Sequence, residues 1–315
     1  MKFLVTGGAG FIGSNIVEEL LKRNYTVRVL DNFSTGKREN LRGFDNDLEL
    51  IEGDIRSYHI VRQAVQGIDI VLHQAALPSV PRSIHDPITT HEVNATGTLN
   101  ILDAAKEAGV KRIVYASSSS VYGDSPELPK REDMIPNPLS PYAVSKLAGE
   151  KYCQVFSRLY GIETVILRYF NVFGPRQDPN SQYSAVIPKF IRAIVNDRSP
   201  IIYGDGTQSR DFTFVSNVVE ANILAAVIKD CPKDPYGKTG IVLNCATHGQ
   251  ITVNELVSQI NILCKKQIVP IYEKKRPGDI LHSYAEIKLI EEYLNFKPSV
   301  NFIEGLSKTI HHHSL

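Results

Sequence analysis

The chain has no surplus of charge. Its formal net charge is +1 over 315 residues, which makes no electrostatic case for nucleic acid or a membrane surface as a partner. It lacks any apolar run of the roughly 18 residues that a membrane helix needs. The four cysteines, Cys153, Cys231, Cys245 and Cys264, stand far apart without a CxxC pair. That spacing suggests neither a disulfide framework nor a zinc site, so no metal is expected, and it fits a reducing cytoplasm. The N-terminus reads straight into a strand, so no signal peptide is expected. Internal repeats and low-complexity segments are also missing. What remains is an ordinary soluble composition, 43% hydrophobic and 22% charged, with length for one large α/β domain or two lobes.

The first half alternates short apolar runs with helical periodicity. Lys2 to Thr6 reads as a buried strand, followed by Gly7-Gly8-Ala9-Gly10-Phe11-Ile12-Gly13. Ile12, Ile16, Val17, Leu20 and Leu21 then recur at helical spacing. Thr26 to Leu30 is a second strand, ending at Asp31. A glycine turn between strand and helix lets backbone approach a pyrophosphate, and the helix N-terminus offers free N–H groups. The pattern is G-x-x-G-x-x-G rather than G-x-G-x-x-G. Asp31 stands where a carboxylate accepts bonds from ribose hydroxyls and repels a 2′-phosphate, so NAD is the expected cofactor. Leu48 to Glu52, Asp69 to His73, Arg112 to Ala116 and Glu163 to Arg168 read as further strands, and a long helix runs from about Thr90 to Ala108, ended by Gly109. The expected fold is α/β, a doubly wound parallel Rossmann-type sheet, with ligands at the carboxyl ends of its strands. Asp54-Ile55 and Gln74-Ala75-Ala76 fall at such ends.

Pro141-Tyr142-Ala143-Val144-Ser145-Lys146 reads as the opening of a helix capped by Ser140. Tyr142 and Lys146 then share one helix face, with Cβ atoms roughly 6 Å apart. A free phenol titrates near ~10 and is a poor base at neutral pH. A neighbouring ammonium favours the phenolate, so the pair reads as a proton-transfer device with a lowered phenol pKa. The same spacing recurs at Tyr284/Lys288 and Tyr293/Lys297. Those pairs lack the upstream serine run Ser117-Ser118-Ser119-Ser120 and read as ordinary surface contacts.

After Phe170 the character changes. Residues 171–184 are rich in Pro, Gly, Asn and Gln, a long loop of the kind kept for binding. A helix is expected from Ala185 to Asp197 and a short strand and turn over Ile201 to Gly206. Asp211 to Val215 and Ile241 to Asn244 read as strands returning to the large sheet, with a helix from Ser216 to Ile228 between them. The expected division is a nucleotide-binding domain over 1–170, with strands returning from about 211–247. A smaller C-terminal substrate lobe is built from 171–210 and 248–315.

These motifs together resemble the extended short-chain dehydrogenase/reductase family, and within it the nucleotide-sugar 4-epimerases. The likeness rests on the glycine turn, Ser117 to Gly123 as Ser-Ser-x-x-Val-Tyr-Gly, Pro-Tyr-x-x-x-Lys, Arg168-Tyr169-Phe170-Asn171, Gly204-Asp205-Gly206 with Arg210-Asp211, and Arg276-x-Gly278-Asp279. Ala75 to Ser83 looks closest to the branch acting on N-acetylated UDP-hexosamines, although Pro78 stands where glycine is expected. The resemblance implies a UDP-sugar substrate, a cytoplasmic homodimer built through the helices from Thr90 and Tyr142, and a transient 4-keto sugar. It implies Tyr142 as base, Lys146 as its partner and Ser118 as the hydroxyl on O4, with Ser119 competing for that role. Cofactor candidates are Gly7, Gly10, Phe11, Ile12 and Gly13; Asp31, Asn32, Ser34, Thr35 and Gly36; Asp54 and Ile55; Gln74, Ala75 and Ala76; and Tyr142, Lys146 and Tyr169. Substrate candidates are Ser79, Ser118, Ser119, Tyr142, Asn171, Gln177, Ala185, Val186, Tyr203, Arg210, Arg276, Asp279 and Ser283. Ser283, four residues after Asp279, stands where a tyrosine would fill the space of an N-acetyl group. The alternatives are a strict UDP-glucose 4-epimerase, a related epimerase or dehydratase, and a non-catalytic NAD sensor on the same fold. A 4,6-dehydratase needs an Asp-Glu pair where this chain has Ser119-Ser120.

Overall fold

Apolar runs that lack a polar face need cover on both sides, and a parallel sheet sandwiched between helices provides it. The computed structural model describes residues 1–44, 46–178, 185–234, 237, 239–275 and 281–313. Its strands β1 (Lys2–Thr6), β2 (Thr26–Asp31), β3 (Leu48–Glu52), β4 (Ile70–His73), β5 (Arg112–Ser118) and β6 (Glu163–Tyr169) join the strand Ile241–Cys245 in one seven-stranded sheet. Its spatial order is Ile241–Cys245, β6, β5, β4, β1, β2, β3, and every neighbouring pair is parallel. The chain reverses its winding between β1 and β4, and that switch point opens a crevice at the carboxyl ends of the strands.

Helices α1 (Phe11–Lys22), α2 (Tyr58–Val65), α3 (Val80–His85), α4 (Pro87–His91), α5 (Gly97–Glu107), α6 (Pro141–Tyr160), α7 (Val186–Val195) and α8 (Val215–Val227) follow in chain order. α1 buries Ile16, Val17 and Leu20 in one core cluster, and α5 buries Ile101 and Leu102 in a second. None of the helices among the described residues is long and apolar enough to cross a membrane.

Two expectations need correction. The long helix starts earlier than Thr90, at Pro87, where the Asp86 side chain accepts from Thr89 N at 3.1 Å. It then widens into a π turn over Glu92–Thr96 before α5. Asn94 sits in that turn. Its side chain accepts from Leu77 N at 2.8 Å and donates to Leu77 O at 3.1 Å and Ser145 Oγ at 3.1 Å. Those bonds to two neighbouring elements accompany the extra residue in the turn. Gly109, at φ +72, ends the helix as expected.

The second correction concerns Asp211 to Val215. Only Ile241–Cys245 returns to the large sheet. Thr213–Phe214 instead pairs in parallel with Val172–Phe173 in a small separate sheet. The outer edge of β6 is taken by Ile241–Cys245, and Asp211 is tied elsewhere, its carboxylate accepting from Thr247 N at 3.0 Å and Ala285 N at 3.3 Å. Further on, Ser209–Arg210 lies between Ile251–Thr252 and His282–Ser283, with Ser283 directly beside Arg210.

Candidate active site

The crevice has three connected parts. The first is built on the glycine turn. Gly7 has φ +68, and a Cβ added there would lie 2.8 Å from Ala75 Cα. A Cβ on Gly13 would lie 2.1 Å from Gly7 O. Both positions therefore exclude every larger residue. Gly10 caps α1 without a side-chain acceptor, which leaves the first-turn amides for an anion. Asp31, at the end of β2, accepts from Ala9 N at 2.9 Å and Phe33 N at 2.8 Å. Burial pushes its carboxyl up, and those backbone bonds pull against it. Nearby cations are committed elsewhere. Arg38 lies over the Phe33 ring and pairs with Glu52, and Lys37 pairs with Asp178 at 3.0 Å.

Gly10, Phe11, Ile12, Asn32, Ser34, Thr35, Asp54, Ile55, Ala75 and Ala76 line this part, as do Tyr142, Lys146 and Tyr169. Gly36 does not. It packs behind, where a Cβ would stand 2.9 Å from Ala9 C and 3.0 Å from Asp31 Oδ2. Gln74 lines the cleft, yet its amide is engaged by Tyr169 and Asn222, at 3.0 Å each. Leu77, Pro78 and Val93 also line it and were not anticipated. Their only sequence signal is position after the fourth strand end and in the helix that follows. A dinucleotide fits this part on the strength of the Gly7/Gly13 cradle and the uncapped α1 terminus.

The second part lies where β5 meets α6. Ser140 caps α6 by accepting from Ala143 N at 3.2 Å. Lys146 is buried, donates to Ala116 O at 2.9 Å and stands 6.0 Å from the Tyr142 ring centroid. Burial lowers its pKa to about 8, against the pull of the Glu150 carboxylate. The expectation of a lowered phenol is reversed in the chain alone. Burial pushes the Tyr142 phenol up, and a hydrogen bond with Ser118 pulls it down. The serines differ in their contacts. Ser117 is turned inward, donating to Glu150 Oε1 at 2.5 Å. Ser118 faces Tyr142 and accepts from Ser120 N at 3.2 Å. Ser119 lines the same cavity but makes neither of these contacts. Neither rival pair shares one helix, since Tyr284 precedes the helix Lys288–Leu294 and Lys297 follows it.

The third part extends away from α6. Ser79, Ser118, Ser119, Tyr142, Asn171, Arg210 and Ser283 line a cavity that also meets Lys130 and Gly123. Ser79 is held at φ +92, a strained conformation for a residue with a side chain. Asn171, Ala185, Val186, Tyr203 and Arg210 continue into an apolar groove with Phe190 and Phe212. Gln177 does not reach either surface. Its amide donates to Val172 O at 3.1 Å within its own loop. Arg276 and Asp279 lie outside the described residues.

Comparison with known proteins bears on this arrangement. Residues 3–235 match the NAD dependent epimerase/dehydratase family. A putative UDP-glucose 4-epimerase of Methanocaldococcus jannaschii is 40% identical over 309 residues, covering 98% of this chain and 96% of that protein. The structure of a UDP-N-acetylglucosamine 4-epimerase from Methanobrevibacter ruminantium, in complex with UDP-N-acetylmuramic acid, superposes with a TM-score of 0.93 at 41% identity, covering 99% and 98% of the two chains. A UDP-glucuronic acid 4-epimerase from Bacillus cereus, in complex with UDP-glucuronic acid and NAD, gives 0.91 at 32% identity, covering 100% and 99%.

Proposed function

The chain belongs to the NAD-dependent epimerase/dehydratase family, and on that premise we propose that it is a 4-epimerase interconverting UDP-N-acetylglucosamine and UDP-N-acetylgalactosamine, with UDP-glucose and UDP-galactose as poorer substrates. The observation that carries the reading is convergence. The Tyr142 phenol, the Ser118 hydroxyl and the Lys146 ammonium meet where the glycine-turn cleft joins the cavity lined by Ser79 and Ser283. A sugar C4–O4 bond held there faces proton-transfer groups and a nucleotide cofactor together.

Gly7 to Gly13 and the α1 terminus would hold the cofactor diphosphate, Asp31 its adenosine ribose, and Lys146 its second ribose. When bound, oxidised NAD supplies a hydride acceptor and a positive ring charge that favours the phenolate. Tyr142 removes the proton from O4, and Ser118 bonds O4 and the carbonyl oxygen that replaces it. The 4-keto ring then turns over in the cavity, and as the hydride comes back to the other face of C4, Tyr142 returns its proton to O4. Asn171 and Arg210 hold the diphosphate end, and Ala185, Val186 and Tyr203 border the nucleoside groove. In this reading the described residues within 171–210 and 248–313 make up the UDP-sugar lobe.

Selectivity for the acetylated sugar rests on Ser283, whose small side chain leaves room that a rigid ring would fill, since packed interiors resist even one added methylene. The test is proton NMR of the purified protein with a panel of UDP-sugars and no added NAD, followed by kcat/KM of Ser283→Tyr on both sugar pairs. Turnover of acetylated sugars should collapse while non-acetylated turnover survives. Equal loss on both pairs, or no change, removes Ser283 as the selectivity residue.

The same reading includes a homodimer. Helices α3, α4 and α6 pack together and expose Ile84, Ile88, Val144, Tyr152, Val155 and Leu159 on their outer face. A second copy covering that face would form the helix-on-helix interface. The four cysteines are free thiols, three of them buried, consistent with a cytoplasmic enzyme.

A further inference from the structure

Beneath the proton-transfer pair lies a buried charged layer that the mechanism above leaves unused. Glu150 is fully buried on α6, so Tyr142, Lys146 and Glu150 follow one another at steps of four along a single helix face. Its Oε1 accepts from Ser117 Oγ at 2.5 Å and Arg168 Nε at 2.8 Å, and its Oε2 accepts from Arg168 Nη2 at 2.8 Å. Arg168, on β6, is 2% exposed and lies 4.6 Å from the Tyr122 ring centroid. A buried ion pair is a weak device for stability, because apolar residues of similar volume often serve as well. Its placement points to another use.

Ser117 and Ser118 are adjacent on β5, so their side chains take opposite faces. Holding Ser117 down against Glu150 therefore holds Ser118 up against Tyr142. The Glu150 carboxylate also stands one helical turn from the Lys146 ammonium. Apart from Arg168, which clamps Glu150, the other titratable groups named around Lys146 among the described residues carry no charge at neutral pH. Tyr115 of β5, with its ring centroid 5.2 Å from Nζ, is held as a phenol by burial. Cys153 of α6 is held as a thiol by the same cause. His73 of β4 is pushed down to about 3 by burial and by Lys146 itself. Tyr142, on the same helix, is the phenol in question.

We propose that Glu150, clamped by Arg168, is the positioning residue of the proton-transfer site: it aims Ser118 by holding Ser117, and it supplies the negative charge that keeps Lys146 an ammonium. The proposal rests on the roles given above to Ser118, Tyr142 and Lys146. A Glu150 that only supports the fold would, once neutralised, lower activity evenly at every pH. A positioning layer has a distinct signature, because removing a nearby negative charge disfavours the ammonium.

The experiment measures kcat and KM of Ser117→Ala and Glu150→Gln across neutral and alkaline pH, with Tyr142→Phe in parallel. Ser117→Ala should lose kcat about tenfold through misplacement of Ser118, with KM and the shape of the pH profile unchanged. In Glu150→Gln the alkaline limb of kcat should move to lower pH by about one pH unit. Native kcat in Ser117→Ala, or an even loss at every pH in Glu150→Gln, overturns the proposal. If Glu150→Gln does not fold, the Ser117→Ala result decides alone. Native turnover by Tyr142→Phe overturns the proton-transfer assignment itself, whereas inactive Tyr142→Phe beside native-like Ser117 and Glu150 variants overturns only the positioning role.

Discussion

Replacing Lys146 with methionine should stop the chemistry and stabilise the cofactor-free protein at the same time. Lys146 is 4% exposed, and among the described residues its ammonium donates one hydrogen bond, to Ala116 O at 2.9 Å. Its pKa falls from 10.5 to about 8 because burial penalises the charged form. At about 1.4 kcal/mol for each tenfold, that gap corresponds to roughly 3 kcal/mol of folding stability withheld at neutral pH. The sign follows from proton counting. Between about 8 and 10.5 the unfolded chain keeps the proton and the folded chain releases it, so stability rises with pH through that window. Methionine has similar length, carries no charge and gives up one hydrogen bond to a charged donor, which offsets about 1.5–3 kcal/mol. The net gain near pH 7 is therefore on the order of 1 kcal/mol, and it should shrink and change sign as pH approaches 10.5. The assay is denaturant unfolding of both cofactor-free proteins at several pH values, read as the difference between them, so that groups common to both cancel. A difference that stays flat across the alkaline range would refute the account of Lys146 as a strained cation. Epimerisation by the same variant should fall at least ~10²-fold, as for loss of a group that supports proton transfer.

Three more outcomes are expected. Tyr142→Phe should lose ~10²–10⁴-fold in turnover with an unfolding midpoint close to native, while the same change at Tyr284 or Tyr293 should leave activity largely intact; comparing circular dichroism with NMR turnover checks both halves. Cofactor extracted from the purified protein and identified by mass spectrometry should be NAD, because a carboxylate at Asp31 facing a phosphate dianion costs on the order of a few kcal/mol; recovery of NADP as the main species would show Asp31 to be misread. Activity should fall on the alkaline side as Lys146, at about 8, loses its proton, and a kcat profile that keeps rising through that range would speak against a charged Lys146.

Local pattern carried much of this molecule. The glycine turn, the period-bounded strands from Lys2 to Tyr169 and the spacing of Tyr142 and Lys146 depend on neighbours within a few residues, and the structure places them in one crevice. What escaped depends on distant partners. The pairing of Thr213–Phe214 with Val172–Phe173 goes with the edge of β6 being held by Ile241–Cys245, which lies far along the chain. The π turn at Glu92–Thr96 accompanies bonds from Asn94 to Leu77 and Ser145, fixed only once α6 docks. The direction of the Tyr142 shift escaped for the same reason, since spacing reveals a neighbouring ammonium but not the burial that pushes the phenol up. Gln177 turned into its own loop through a contact no composition signals.

The run of Tyr142, Lys146 and Glu150 along α6 also sets what kinds of change this protein tolerates. Side chains on the outer face of α6, Val144 among them, answer only to whatever covers that face. Length cannot be exchanged. One residue inserted or deleted between Tyr142 and Glu150 rotates everything beyond it by about 100° and carries Lys146 or Glu150 off the shared face. On the role proposed for Ser283, descendants of this sequence can therefore drift in which sugar they accept by a point change there, while the spacing of the first turns of α6 stays fixed to the residue.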